Sequence, residues 1–131
     1  MTEGKIMTIV CSQGNFSKVF AALVLATTAK AMDVDVYVYF TFDGIDILKK
    51  DVYDSLFEDD PKANAMKEKG APDIKDLFNI AVETGIHLVP CQLPMDIKGI
   101  EKEDIVDFVE EPTGASGFLD KSLDADLSYF L

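Results

Sequence analysis

Cys91 is the residue of this chain best placed to do covalent chemistry. It directly follows Ile86-His87-Leu88-Val89-Pro90, a short apolar run with the pattern of a buried strand. Gln92-Leu93-Pro94-Met95-Asp96-Ile97 then opens a helix, with Pro94 suited to its first turn. Partial positive charge at a helix N-terminus favours thiolate, the nucleophilic form of cysteine, so the junction points to sulfur chemistry. Gln92 offers an amide to a persulfide or thiosulfonate held on that thiol. The competing reading is a buried structural thiol, because free cysteine is among the most buried residue types.

The second of the two cysteines, Cys11, ends another apolar run, Lys5-Ile6-Met7-Thr8-Ile9-Val10. Ser12, Gln13 and Gly14 follow it as a small polar loop and are candidates to bind a small substrate. Phe42, at the end of a third apolar run, is a candidate wall of the same edge. The two thiols can form a disulfide, act as a relay or be unrelated, and sequence leaves those alternatives open. A bridge needs Cα atoms within about 7 Å, and a reducing cytosol disfavours it. The pair lacks C-x-x-C spacing, and two Cys plus the single His87 fall short of the roughly four ligands of structural zinc. His87 lies inside an apolar run, where a core imidazole with a hydrogen-bond partner is expected rather than a ligand. The loop at Cys11 carries neither a phosphate-loop nor a dinucleotide glycine pattern. Ser12 and Ser17 have no His and acid partners for hydrolysis, and no cofactor is implied.

The elements that must position these residues follow from periodicity. Strands are expected at Lys5–Val10, Val34–Phe42, Ile86–Pro90, Ile105–Val109 and Leu127–Leu131. A helix capped by Ser12, Asn15 or Ser17 runs to about Met32, with Phe16, Val19, Phe20, Leu23, Val24 and Thr27 at helical spacing. Further helical segments are expected at 45–50, at 73–84 with Gly85 as the stop, and at 94–98. The last runs from Thr113 as its cap through Phe118, Leu119 and Leu123. Residues 51–72 read as a surface excursion, partly helical, and mobile or engaged with a neighbouring subunit. Gly114 and Gly117 read as small residues for helix packing. Alternating strands and helices predict a single domain over 1–131: a three-layer α/β/α, flavodoxin/Rossmann-like arrangement with a mostly parallel five-stranded sheet. Ligand sites of such sheets lie beyond the strands' C-terminal ends, where both cysteines fall.

Composition narrows the partners. The 131 residues are 48% apolar, enough for a real core without staples. Asp and Glu number 24 against 12 Lys, with no Arg and a formal net charge of −12. Nucleic-acid binding needs basic surface and leans on Arg, so it is set aside, and anionic membranes would repel the chain. No apolar stretch reaches the roughly 18 residues of a membrane span, and the N-terminus lacks signal-peptide character. A cytoplasmic protein is expected, its acidity suiting either solubility or an encounter with a basic partner.

Several stretches together resemble the DsrE/DsrF-like family, particularly its peroxiredoxin-like branch. They are Ile9-Val10-Cys11-Ser12-Gln13-Gly14, Ala21-Ala22-Leu23-Val24-Leu25-Ala26-Thr27-Thr28-Ala29 and Tyr39-Phe40-Thr41-Phe42-Asp43-Gly44-Ile45. To these add Val89-Pro90-Cys91-Gln92-Leu93-Pro94-Met95-Asp96-Ile97-Lys98-Gly99-Ile100 and the Gly114-Ala115-Ser116-Gly117-Phe118-Leu119 region. The resemblance implies a doubly wound α/β fold, homo-oligomeric assembly and a role in intracellular sulfur trafficking. Cys91 would accept sulfane sulfur from donors such as thiosulfate or persulfides and exchange it with a small TusA-like carrier protein. Cys11 would be a secondary site. The alternative is a noncatalytic assembly or regulatory subunit with incidental thiols, and peroxide reduction is a third. A solvent-reachable Cys91 favours the carrier; a buried, inert one favours the assembly role.

Overall fold

Each strand falls on a short run rich in β-branched, aromatic or other apolar residues, two in the first third of the chain and two in the last. The computed structural model describes residues 2–131. It has β1 (Ile6–Cys11), α1 (Phe16–Ala31), β2 (Asp35–Phe40), a 3-10 stretch (Phe42–Leu48), α2 (Lys50–Tyr53) and α3 (Pro61–Glu68). Then come α4 (Ile74–Thr84), β3 (His87–Pro90), α5 (Gln92–Lys98), a short 3-10 turn (Lys102–Asp104), α6 (Ala115–Leu123) and β4 (Leu127–Phe130). The sheet is four-stranded and parallel in the order β3-β2-β1-β4.

Side-chain parity divides the sheet into two faces. Met7, Ile9, Cys11, Val36, Val38, Phe40 and Leu88 point into the main core with α1 and α4. Tyr37, Tyr39, Val89 and Cys91 point the other way, towards α6, where Phe118 completes a small second cluster. Helix α4 stops at Gly85, as its sequence predicts, and starts with a capping box at Asp73. In the 51–72 excursion, Asp60 caps α3 by accepting from the Lys62 and Ala63 amides at 2.9 and 3.1 Å. Buried Leu56, and Phe57 packed edge-on against Phe16 at 5.4 Å, anchor the excursion to the core.

The expected strand at Ile105–Val109 is absent, which makes the sheet four-stranded rather than five-stranded. Ile105 and Val106 are both buried, so consecutive residues face inward and the period of two is lost. Val106 donates to the Leu48 carbonyl, and Phe108 joins an aromatic cluster with Tyr53 and Phe78. The chain then runs irregularly along the free edge of β3, where Glu110 donates to Leu88 and Thr113 to Pro90. Pro112 lacks an N–H, so no regular ladder can form there. Thr113 bridges Cys91 instead of capping α6, and Gly114 takes the cap position.

The loops after β1 and β2 meet backbone to backbone. A Cβ on Gly44 would lie 2.1 Å from the Cys11 carbonyl oxygen and 2.9 Å from its carbon, neither of which can swing aside. Gly44→Ala is expected to cost about 3 kcal/mol by overpacking. For a chain of this size that lowers the melting midpoint by roughly 10 °C. An unchanged thermal melt would show that these loops yield.

Candidate functional site

Cys91 leaves β3 in an extended conformation (φ −85°, ψ 129°) and occupies the cap position of α5. Its amide donates to the Phe40 carbonyl at 2.9 Å, continuing the sheet by one residue. The sulfur makes no cap hydrogen bond to α5. The Gln92 amide, the first of that helix, is taken by the Thr113 carbonyl at 3.0 Å. The expected helix-amide cradle for the thiol is therefore not what the sulfur contacts.

The sulfur's partner is a phenol. The Tyr39 hydroxyl donates to Cys91 Sγ at 2.8 Å. Tyr39 sits opposite Val89 in the β2–β3 register, so its ring lies on the Cys91 face and its hydroxyl reaches past the strand end. Phe118 of α6 stacks on the Tyr39 ring at 4.2 Å and 9°. Burial pushes the Tyr39 phenol well above its ordinary value, and the neighbouring Cys91 sulfur adds to the shift, so Tyr39 stays protonated and remains a donor.

The pocket is closed. Cys91 is 4% exposed, Tyr39 5% and Phe118 6%. Its cover is thin, however, because Phe118 is the one buried residue of α6. Beyond it, α6 is held by Ser122 donating to Thr8 and by Lys121 lying 5.3 Å from the Tyr37 ring centre. Gly117 lets the first turn of α6 pass over Thr113, whose Oγ1 would lie 2.3 Å from an added Cβ.

Cys11 does not join this site. It lies on the α1/α4 face, at the end of β1 with β2 between it and β3, and on the opposite side of the sheet from Cys91. Two strand spacings put the Cα atoms about 10 Å apart, beyond the reach of a disulfide, and both cysteines are free. The Cys11 sulfur donates to the Gln13 carbonyl at 3.4 Å, and burial pushes its thiol up to about 11.

The other candidates scatter. Ser12 spends its amide and hydroxyl on the Leu131 carbonyl, at 2.8 and 2.7 Å, and so ties β1 to β4. Gln13 is exposed, and Gly14 packs under the Asp43 carbonyl. The Gln92 side-chain amide donates to Asp96 at 2.7 Å. His87 stacks on Tyr37 at 4.1 Å and bonds Glu110 at 2.6 Å, partnered as expected but partly exposed at the sheet edge rather than in the core.

Phe42 is 61% exposed and has a left-handed backbone (φ 48°), an uncommon state for a bulky residue. Lys98 of α5 braces this turn by donating to the Phe42 carbonyl and to Asp43 and Asp46. Burial opposes the Lys98 charge, yet hydrogen bonds to Asp46 and Asp43 hold its ammonium above the ordinary value. Leu93 and Ile97, one turn apart on α5, are 60% and 74% exposed.

Comparison with known proteins agrees with this architecture. The chain is 24% identical to the sulfur carrier protein DsrE2 of Allochromatium vinosum, covering 98% of this chain and 99% of that one. It is 26% identical to the uncharacterized protein YrkE of Bacillus subtilis over the full length of both. Among solved structures, the YchN protein of E. coli superposes with a TM-score of 0.62 at 15% identity, covering 97% of this chain and 99% of that one. MTH1491 of Methanobacterium thermoautotrophicum, of unknown function, gives 0.69 at 12% identity, covering 95% and 98%. The model of the DsrE/DsrF/DrsH-like family matches residues 3–64 and 56–130, nearly the whole chain, and this protein belongs to that family.

Proposed function

We propose that this chain is a sulfur-trafficking protein that carries sulfane sulfur on Cys91 and exchanges it with a small TusA-like carrier protein. The observation that carries the reading is the hydrogen bond on the Cys91 sulfur. A thiol that only fills space needs no donor, yet a buried phenol reaches this one. Membership of the family and likeness to a protein named a sulfur carrier support the same reading.

Charge bears on the donor. Asp96, Glu101 and Glu111, with Lys102 paired to Glu111, line a cavity of about 360 Å³ beside Gln92 that is net acidic, and Asp43 stands paired with Lys98 at the braced turn. These carboxylates oppose free anions such as thiosulfate and favour sulfur delivered from a basic protein surface. Phe42, Leu93 and Ile97 supply exposed apolar area for such a partner. Intact mass after exposing reduced protein to thiosulfate, tetrathionate or polysulfide tests the reading. A thiol-reversible adduct supports it, and no adduct from any donor sinks it.

The closure over Cys91 favours a second reading, a noncatalytic assembly subunit with incidental thiols. Both readings include a homo-oligomer. Leu127, Tyr129 and Phe130 of edge strand β4 and Leu119 and Leu123 of α6 are exposed, and a second copy would cover them. Sedimentation is expected to show an oligomer that Leu123→Asp with Phe130→Asp converts to monomer. A monomeric wild type would reject the assembly. Among the described residues, no helix is long and apolar enough to cross a membrane.

A further inference from the structure

We propose that Tyr39 is a catalytic residue of the Cys91 site, its hydroxyl donating to the sulfur while that sulfur is charged. The inference rests on the carrier reading and adds the group that makes a closed, apolar pocket compatible with a thiolate. Inside such a pocket a thiolate loses its water, and an unpaired buried charge is costly. Thr113 bridges Cys91, its carbonyl 3.5 Å from the Tyr39 hydroxyl, and the apolar side chains packed with Cys91 are Tyr39, Val89 and Phe118, with Val10 and Tyr37 at the margin. Of these, the Tyr39 hydroxyl is the polar group that reaches Sγ, at 2.8 Å. Its ring is fixed by Phe118 on one face and by its place in β2. The donor is thus aimed before any charge develops, the arrangement that costs least to reorganise during reaction.

The exchange uses this bond twice. In loading, the Cys91 thiolate attacks the outer sulfur of a donor persulfide, R–S–SH. A new S–S bond forms at Cys91, the donor's S–S bond breaks, and R–S⁻ leaves with the electron pair. In unloading, an acceptor thiolate attacks the outer sulfur, and Cys91 leaves as thiolate. Neither step changes the total oxidation state or needs a further reactant. Tyr39 keeps its proton throughout and stabilises Cys91 first as nucleophile, then as leaving group.

Tyr39→Phe keeps the ring and its stack on Phe118 and removes the hydroxyl alone. The test is the rate of Cys91 alkylation by iodoacetamide against pH, in wild type and Tyr39→Phe, with polysulfide loading measured on the same samples. Loss of a hydrogen bond to a charged group is expected to move the midpoint of the rate profile up by about one pH unit. Alkylation near neutrality then falls about tenfold, while the high-pH plateau stays in place. A purely structural Tyr39 would change the plateau through pocket opening and leave the midpoint alone. An unmoved midpoint overturns the assignment, whether or not polysulfide loads Cys91. A moved midpoint sustains the hydrogen bond, and if wild type still takes no sulfur from polysulfide it is the carrier reading that fails.

Discussion

Cys11→Ser is expected to load sulfur as wild type does, within about twofold, whereas Cys91→Ser loads none. Both cysteines end strands at the same edge, so topology alone would treat them alike. Their microenvironments do not. Cys11 is fully buried in the main core, where burial pushes its thiol up to about 11. At pH 7 only about one molecule in ten thousand then carries a Cys11 thiolate. Its polar contact is the Gln13 carbonyl, which accepts from the thiol and offers nothing to an anion. Cys91 faces a donor instead. The thiols lie on opposite faces of the sheet, so direct passage of sulfur between them is not expected. Mass spectrometry of the two variants after polysulfide treatment checks this, with Cys11→Ala as the apolar control. An adduct that survives Cys91→Ser but not Cys11→Ser would reverse the assignment.

Much of this arrangement was legible in the chain. The β-branched run before Cys11, the aromatic alternation of β2 and the apolar run before Cys91 each gave a strand within a residue or two. Asp73 and Gly85 bracketed α4. What escaped was set by tertiary packing. Ile105–Val109 has strand propensity, but its neighbours bury Ile105 and Val106 together, and Pro112 stops the edge from pairing. The separation of the cysteines depends on register: Cys11 aligns with Phe40, whereas Cys91 lies one residue beyond the Pro90 that also aligns with Phe40. That single step of parity puts them on different faces. Tyr39 and Phe118 are far from Cys91 in sequence and meet it only in the fold. The available signal was the alternation of Tyr37 and Tyr39 with Val36, Val38 and Phe40, which marks one face of β2 as carrying polar tips.

Phe118→Ala is expected to speed alkylation of Cys91 by about a hundredfold. Sulfur exchange needs a second sulfur to reach Sγ, and the closed pocket leaves Cys91 4% exposed. The cover that must lift is α6, which buries Phe118 and little else. Burying a phenylalanine side chain is worth about 2–3 kcal/mol. Removing that term raises the open population by roughly 30- to 140-fold, since 1.4 kcal/mol is a factor of ten. When reclosing is fast, reaction with a small alkylating agent tracks that population. Asp120→Ala, at an exposed polar position of the same helix, is expected to leave the rate within about twofold, because it touches neither the seal nor the apolar face assigned to a second copy. Cys11 serves as the internal reference: global unfolding exposes both thiols, whereas lifting α6 exposes Cys91 alone. Peptide-resolved alkylation should therefore show Cys91 accelerated and Cys11 unchanged. Equal acceleration of both would mean that the variant is simply unfolding. A wild-type rate at Cys91 would mean that α6 is not the gate, and that the thiol is reached by another route or not at all.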